Sequence, residues 1–229
     1  MTFSITARCE QTGRLGIAVA THSLATGSRV PHIKARAGAV ASQSSSNPRL
    51  GVLALQLLGM GYAAPKVVEE MKAADFNPEH RQFVVVDKDG HAAAYSGPLA
   101  REWKGVHVGD GYAAAGNTLS GPRVIEEMAR AFEAGVGEEL EERLLRAIEA
   151  GRDAGGQDAG QRSACLLTYD WDVFPYLSLR VDVHDQPEAE LRRIFEFYKP
   201  YIPYYNIRPA ASQLDQADKW VAQRETPGS

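Results

Sequence analysis

The chain has 229 residues, 44% of them hydrophobic and 24% charged, with a net charge of −4. That is the make-up of an ordinary globular protein, long enough for a sizeable core in one large domain or two small ones. The acidic balance and the lack of a basic run argue against a nucleic-acid partner, and no apolar stretch approaches the ~18–20 residues of a membrane span. No basic n-region or apolar h-region leads the first strand, so a cytoplasmic location is expected. The two cysteines, Cys9 and Cys165, make neither a disulfide framework nor a metal spacing and read as buried thiols.

Alternation predicts a strand over Thr2–Arg8, a turn at Gln11-Thr12-Gly13, and a hairpin partner over Leu15–Thr21. Ser28–Arg36 and Gly38–Ser44 form a second pair, with Pro31 demoting the first to an edge. Helical periodicity then carries Val52, Leu55 and Leu58 and, after a Gly59–Gly61 break, Val67, Val68 and Met71, with Pro65 in the second helix's first turn. Phe83–Val86 and His91–Tyr95 flank a Lys88-Asp89-Gly90 turn, and Val106–Val108 pairs with Tyr112–Ala115. Two helices follow, Pro122–Ala134 and Glu138–Ala150, the second with acids early and Arg143 and Arg146 late, as the helix dipole favours. A glycine-rich loop spans Gly151–Gly160, strands cover Ala164–Tyr169 and Leu177–Val183, and a helix covers Pro187–Tyr198. A Tyr/Pro segment, Lys199–Pro209, and a short amphipathic piece, Ser212–Gln223, form a tail.

Strands in hairpins alternate with helix pairs, which predicts an α+β fold, a four-layer αββα sandwich. Residues 1–198 form that domain and residues 199–229 a C-terminal appendage. The strand of Thr2 is expected in the centre, flanked by Leu15–Thr21 and by a strand from Gly38–Ser44. The tail's Tyr198, Tyr201, Tyr204 and Tyr205 suit a homodimer contact and equally suit packing against the chain's own sheet.

The first residues carry the main chemical expectation. Thr directly follows Met1, and a small second residue favours removal of the initiator. The mature chain then starts at Thr2 with a hydroxyl and a free α-amine, whose pKa of about 7.7–8.0 leaves it partly neutral. Hydroxyl and amine together form a nucleophile and its base. Ser4 and Thr6 share the strand face of Thr2. Gly116-Asn117 lies between a strand and a helix, where the Asn amide or backbone N–H groups can meet an oxyanion. His22, Ser23 and His32 lie close in sequence to the two strands expected to flank Thr2 and are candidates for substrate contact. There is no Gly-x-Ser-x-Gly elbow, and Asp182, His184 and Asp185 read as a strand-end cap rather than a metal site. No metal, cofactor or nucleotide signature is present.

The chain resembles the family of unknown function DUF1028, placed with the Ntn (N-terminal nucleophile) hydrolase-like fold. The resemblance rests on Met1-Thr2-Phe3-Ser4-Ile5, Val30-Pro31-His32, Gly38–Gln43, Arg81-Gln82, Gly116-Asn117-Thr118-Leu119, Arg143–Ala147, Glu149-Ala150-Gly151, Gly155-Gly156, Ser163-Ala164 and Arg180–His184. It runs to about residue 198. The family pattern continues Gly155-Gly156 with an acid, which here is displaced by one position to Asp158. A more distant likeness joins Gly16–Gly27 to the second strand of proteasome β-type subunits, with His22 where those carry an Asp. That likeness implies a lysine facing the nucleophile, at Lys34, with Arg36 and Arg29 as nearby alternatives. It also implies an Asp and a Ser near the amine, at Asp158 and Ser163.

The expected function is thus an Ntn amidohydrolase or acylase acting on a small-molecule amide. Its catalytic set would be Thr2, Lys34, Asn117, Asp158 and Ser163, with Ser4, His22, Ser23 and His32 binding substrate. Two alternatives stand beside it: an inactive scaffold that binds a metabolite or a partner protein, and a cyclohydrolase-like enzyme without an N-terminal nucleophile.

Overall fold

The computed structural model describes residues 1–211 and 213–225. Among the described residues ten strands form two antiparallel sheets. The strands are β1 (Thr2–Arg8), β2 (Leu15–Thr21), β3 (Pro31–Lys34), β4 (Gly38–Ser44), β5 (Arg81–Asp87), β6 (Ala92–Ser96), β7 (Gly105–Gly109), β8 (Tyr112–Asn117), β9 (Ser163–Tyr169) and β10 (Leu177–Val181). One sheet has the order β10-β9-β2-β1-β8-β7 and the other β3-β4-β5-β6. The helices are α1 (Pro48–Gly59), α2 (Ala64–Ala73), α3 (Arg123–Ala134), α4 (Leu140–Asp153), α5 (Pro187–Tyr198), α6 (Ile202–Ile207) and α7 (Ala217–Glu225).

Three apolar layers separate four structural ones, so the architecture is the αββα sandwich that the hairpin pattern predicts. Phe3, Ile5, Ala18 and Ala20 pack outward against Val124, Met128, Leu144 and Ile148 of α3 and α4. Leu15, Ile17, Val19, Ala39, Ala41, Val84 and Cys165 fill the gap between the sheets. Val40, Phe83 and Val85 pack outward against Leu50, Ala54, Val67 and Met71 of α1 and α2. Both faces of the inner strands are covered, which is why β2 is apolar along nearly its whole length.

Local chemistry sets several boundaries. Asn47 caps α1, its side chain accepting from the Arg49 N–H at 3.2 Å, and Pro48 starts the helix. Pro31 opens β3, an edge strand, as its missing N–H requires. Helix α4 runs to Asp153, three residues into the predicted glycine loop, and takes in Gly151, which lies against Met128, whose Cγ would be 2.8 Å from an added Cβ.

One expectation about the sheet is corrected. The neighbours of β1 are β2 and β8, while β4 lies in the facing sheet. The segment after Thr21 crosses to the second sheet, so β1 and β4 meet face to face: Ser4 Oγ donates to Gln43 Oε1 at 2.6 Å. In the tail, Ile202 joins the outer core and Asn206 Nδ2 donates to the Tyr176 carbonyl at 3.0 Å, so part of this segment packs on the chain itself. The predicted amphipathic piece begins at Ser212, which lies outside the described residues. Cys9 and Cys165 are buried free thiols. Among the described residues no helix is long and apolar enough to cross a membrane.

Candidate functional site

Strand register brings four polar residues level at one end of the larger sheet. Thr2 pairs with Asn117 on one side and Thr21 on the other, and Thr21 pairs with Ser163. Directly paired residues project to the same face, so the row Asn117–Thr2–Thr21–Ser163 looks into the gap between the sheets. All four are buried. The Thr2 hydroxyl donates to the Met1 carbonyl at 2.6 Å and lies 3.1 Å from the Thr21 hydroxyl. Thr21 Oγ1 also donates to the Met1 carbonyl. Ser163 Oγ donates to the Ser23 carbonyl at 2.7 Å and accepts from the Thr26 N–H at 3.1 Å, pinning the loop that follows β2.

A buried amide network faces this row from the second sheet. Gln43 and Gln82 are direct cross-strand partners. Gln43 Nε2 donates to Gln82 Oε1 at 2.7 Å, and Asn117 Nδ2 donates to the same oxygen at 3.1 Å. Gln82 Nε2 donates to the Gly116 carbonyl at 2.8 Å. Such a network is stabilising only when its members are satisfied together, and here it fixes the side chains of Ser4 and Asn117 on either side of Thr2. Ser44 and Thr118 follow Gln43 and Asn117 directly, and both have positive φ, at 69° and 55°. For the β-branched Thr118 that conformation is strained, and such strain gathers at functional sites.

Two openings reach the row. The larger, of about 460 Å³, is walled by Met1, Ser44, His80, Leu99, Arg101 and Asn117 among others. The smaller, of about 50 Å³, includes Thr2, Thr21, Gln43 and Arg29. Met1 lines the larger one, and burial, with the Arg101 charge second, holds the pKa of its amine below the ordinary 8.0. Among the described residues no titratable side chain hydrogen-bonds to the Thr2 hydroxyl.

The structure gathers part of the expected set. Asn117 and Ser163 stand in the Thr2 row, Ser4 lies one step inward, and Ser23 lines both openings. Lys34 does not join them. It pairs with Gly38, at the end of β4 remote from Gln43, and its Nζ lies over Gly59 at the end of α1. The strand alternation puts Lys34 on the helix-facing side with His32. Arg36 is also at the remote end, its guanidinium over the Trp171 ring at 5.5 Å. Arg29 is the sequence alternative that does line the Thr2 opening. Asp158 is exposed, and its neighbour Gln157 turns inward instead, donating to the Asn117 carbonyl at 3.3 Å. His22 bonds the Gly160 carbonyl through Nδ1 at 3.2 Å, a loop tie. His32 lies under α1 against Gly51, where burial lowers its pKa.

Sequence reasoning missed Thr21, Gln43, Gln82, Gln157 and Arg101 as site residues. A signal existed for the two glutamines: each is a polar residue at an inward position of an otherwise apolar strand. For metals, Asp87, Asp89 and His91 come together among the described residues. The Asp87 oxygens, however, already accept from the N–H groups of Ala64, Asp89 and His91, so this carboxylate organises a turn. β10 ends at Val181, before Asp182, His184 and Asp185, and His184 Nδ1 accepts from the Gln186 N–H at 3.0 Å at the start of α5.

Comparison with known proteins agrees with this architecture. The model of DUF1028, a family of unknown function, matches residues 2–191. The solved structure of protein SPO2555 from Silicibacter pomeroyi, itself assigned to DUF1028, is 34% identical, with a TM-score of 0.81 over 86% of each chain. Anbu (ancestral beta-subunit) from Yersinia bercovieri is 11% identical with a TM-score of 0.43, covering 93% of this chain and 100% of that one. No curated protein matches.

Proposed function

This chain belongs to the DUF1028 family, and we propose that it is an N-terminal-nucleophile hydrolase of a small amide, with Thr2 as the nucleophile after removal of Met1. The observation that carries the reading is the position of Thr2. Its hydroxyl is buried between two other polar side chains of one cross-strand row, while the residue before it lies in an open cleft. Loss of Met1 would free the Thr2 amine at the floor of that cleft.

The chemistry needs only groups already at hand. The neutral amine takes the hydroxyl proton, and Oγ1 attacks the amide carbon. Asn117, with one N–H committed to Gln82 and a second to offer, meets the oxyanion. Collapse breaks the C–N bond, and the proton passes from the ammonium to the leaving amine. Water then attacks the Thr2 ester, releasing the acid and restoring the hydroxyl. Arg101 takes the part expected of Lys34, a cation that disfavours protonation of the amine. Ser163 and Gln157 hold the surrounding loops, and Asp158 has no part in the step.

One observation favours a second reading, a binding scaffold. With Met1 in place, both the Thr2 and Thr21 hydroxyls are engaged on its carbonyl, and among the described residues no titratable side chain bonds the Thr2 hydroxyl. Intact-mass measurement separates the two. A chain starting at Thr2, with amide hydrolysis abolished by Thr2→Ala, supports the hydrolase. A chain that keeps Met1 supports the scaffold.

A further inference from the structure

Among the described residues, those that wall the two openings at Thr2 include no Asp or Glu. The chain as a whole has 29 acidic residues against 25 basic ones, and the cleft at the opposite end of the sheets is lined by Glu10, Asp89, Asp110, Glu133 and Glu138. The walls at the Thr2 end thus differ in charge from those of the far cleft. The Thr2 end holds two arginines, Arg101 in the larger opening and Arg29 in the smaller.

Neither arginine is neutralised from within. Among the described residues no salt bridge reaches Arg101 or Arg29, whereas Arg14, Arg81, Arg146 and Arg192 are each paired with an acid. The nearest acid in sequence to Arg101 is Glu102, which turns away to Lys104 at 2.6 Å. Glu79 stands behind His80 at 3.7 Å. The backbone of Arg101 is fixed to the site: its carbonyl accepts from the Thr118 N–H at 3.0 Å, one residue after Asn117. An exposed guanidinium held at the rim of a polar cleft is a fork for a carboxylate.

We propose that the Thr2 site takes a small amide that carries its own carboxylate, bound by Arg101 in the larger opening with its amide carbonyl towards Thr2 and Asn117. The proposal rests on the hydrolase reading above and adds the class of substrate. One guanidinium among serine hydroxyls matches a single negative charge. The opening's 460 Å³ limits the ligand to the size of an acylated amino acid. Arg29 guards the smaller side, adding to the field that draws an anion in.

The test uses N-acetylglycine, N-acetylalanine and N-acetylaspartate against their N-methylamides, which keep the shape and remove the α-carboxylate charge. Acetate release by the full-length protein is the catalytic readout, and ligand-observed NMR on Thr2→Ala is the binding readout. The acids should be preferred by about 10–100-fold, the size of a charge-assisted hydrogen bond. Compared on the high-pH plateau, where the amine is neutral in every variant, Arg101→Leu should erase that preference by raising KM for the acids, and Arg101→Lys should restore part of it. Turnover that depends on Thr2 but ignores the carboxylate, or survives Arg101→Leu with its preference intact, overturns the anion site and leaves the hydrolase standing. Acid-selective binding lost in Arg101→Leu, without any acetate release, upholds the anion site and counts against the hydrolase. Failure of every acid to bind overturns the proposal.

Discussion

Asn117 and Gln82 join the two sheets beside the N-terminus, with Asn117 Nδ2 donating to Gln82 Oε1 across the gap at 3.1 Å. The same oxygen takes the Gln43 amide. Removing this one acceptor strands two buried donors at once. Gln82→Leu should therefore destabilise the fold by about 2–4 kcal/mol, since each orphaned polar group costs roughly 1–3 kcal/mol. Urea unfolding measures the loss. A change within about 0.5 kcal/mol, the range of ordinary surface substitutions, would mean that the network relaxes freely.

A second buried polar cluster lies at the far end of the molecule. Arg14 Nη1 bonds Glu141 at 3.1 Å and Glu139 at 3.2 Å, Nη2 reaches Asp170 at 3.4 Å, and the guanidinium covers Tyr176 at 3.7 Å. Glu141 is 2% exposed, so Arg14→Met leaves a buried carboxylate with Thr168 Oγ1 as its remaining donor. Breaking such a pair from one side costs about 3–5 kcal/mol. Thermal unfolding should show it, while amide hydrolysis at a permissive temperature stays unchanged because the cluster is remote from Thr2. The double variant Arg14→Met with Glu141→Leu should recover part of the stability.

His32 gives a pH dependence with a definite sign. Burial beneath α1 holds its folded pKa below 6.5, so below that pH the unfolded chain binds the proton first. Stability is full above about 6.5 and is lost as pH falls towards the lowered folded value. Denaturation midpoints between pH 7 and pH 5 should decline, and His32→Phe, which keeps a ring against Gly51, should flatten that decline. An unchanged slope would assign the acid sensitivity to other groups.

How far the sequence carried these arguments depends on which physical rule each feature obeys. Period-two alternation and glycine–proline punctuation identified the strand pairs because both are local. Asn117 and Ser163 were legible as candidates, and register brings them level with Thr2. Lys34 was placed by likeness to other sequences, which is blind to the tight β3–β4 turn that returns the chain so that Lys34 lies at the remote end and on the helix-facing side. Likewise, alternation does not reveal which sheet β4 enters, since that follows from the crossing after Thr21. Arg101 sits in a loop whose path is set by long-range bonds, Thr118 N–H to the Arg101 carbonyl and Leu119 N–H to that of Trp103, and no local pattern announces it.

The proposed mechanism makes the mature amine the titrating base. In the Met1 form, burial first and the Arg101 charge second already hold an amine at this end below 8.0. Thr2 lies one residue deeper, so its amine should feel both effects once Met1 is gone. A base works when deprotonated, so kcat/KM should rise with pH and level off, with an apparent pKa below about 8.0. Arg101→Leu removes a cation that opposes protonation and should move that pKa up, independently of any rise in KM. Thr2→Ala should abolish turnover with the fold intact. Thr2→Ser should keep measurable activity, because hydroxyl and amine both remain. A bulky residue at position 2, which retains Met1, should be as damaging as Thr2→Ala. A flat pH profile in a fully active enzyme, or equal activity with Met1 still attached, would place the nucleophile elsewhere in the chain.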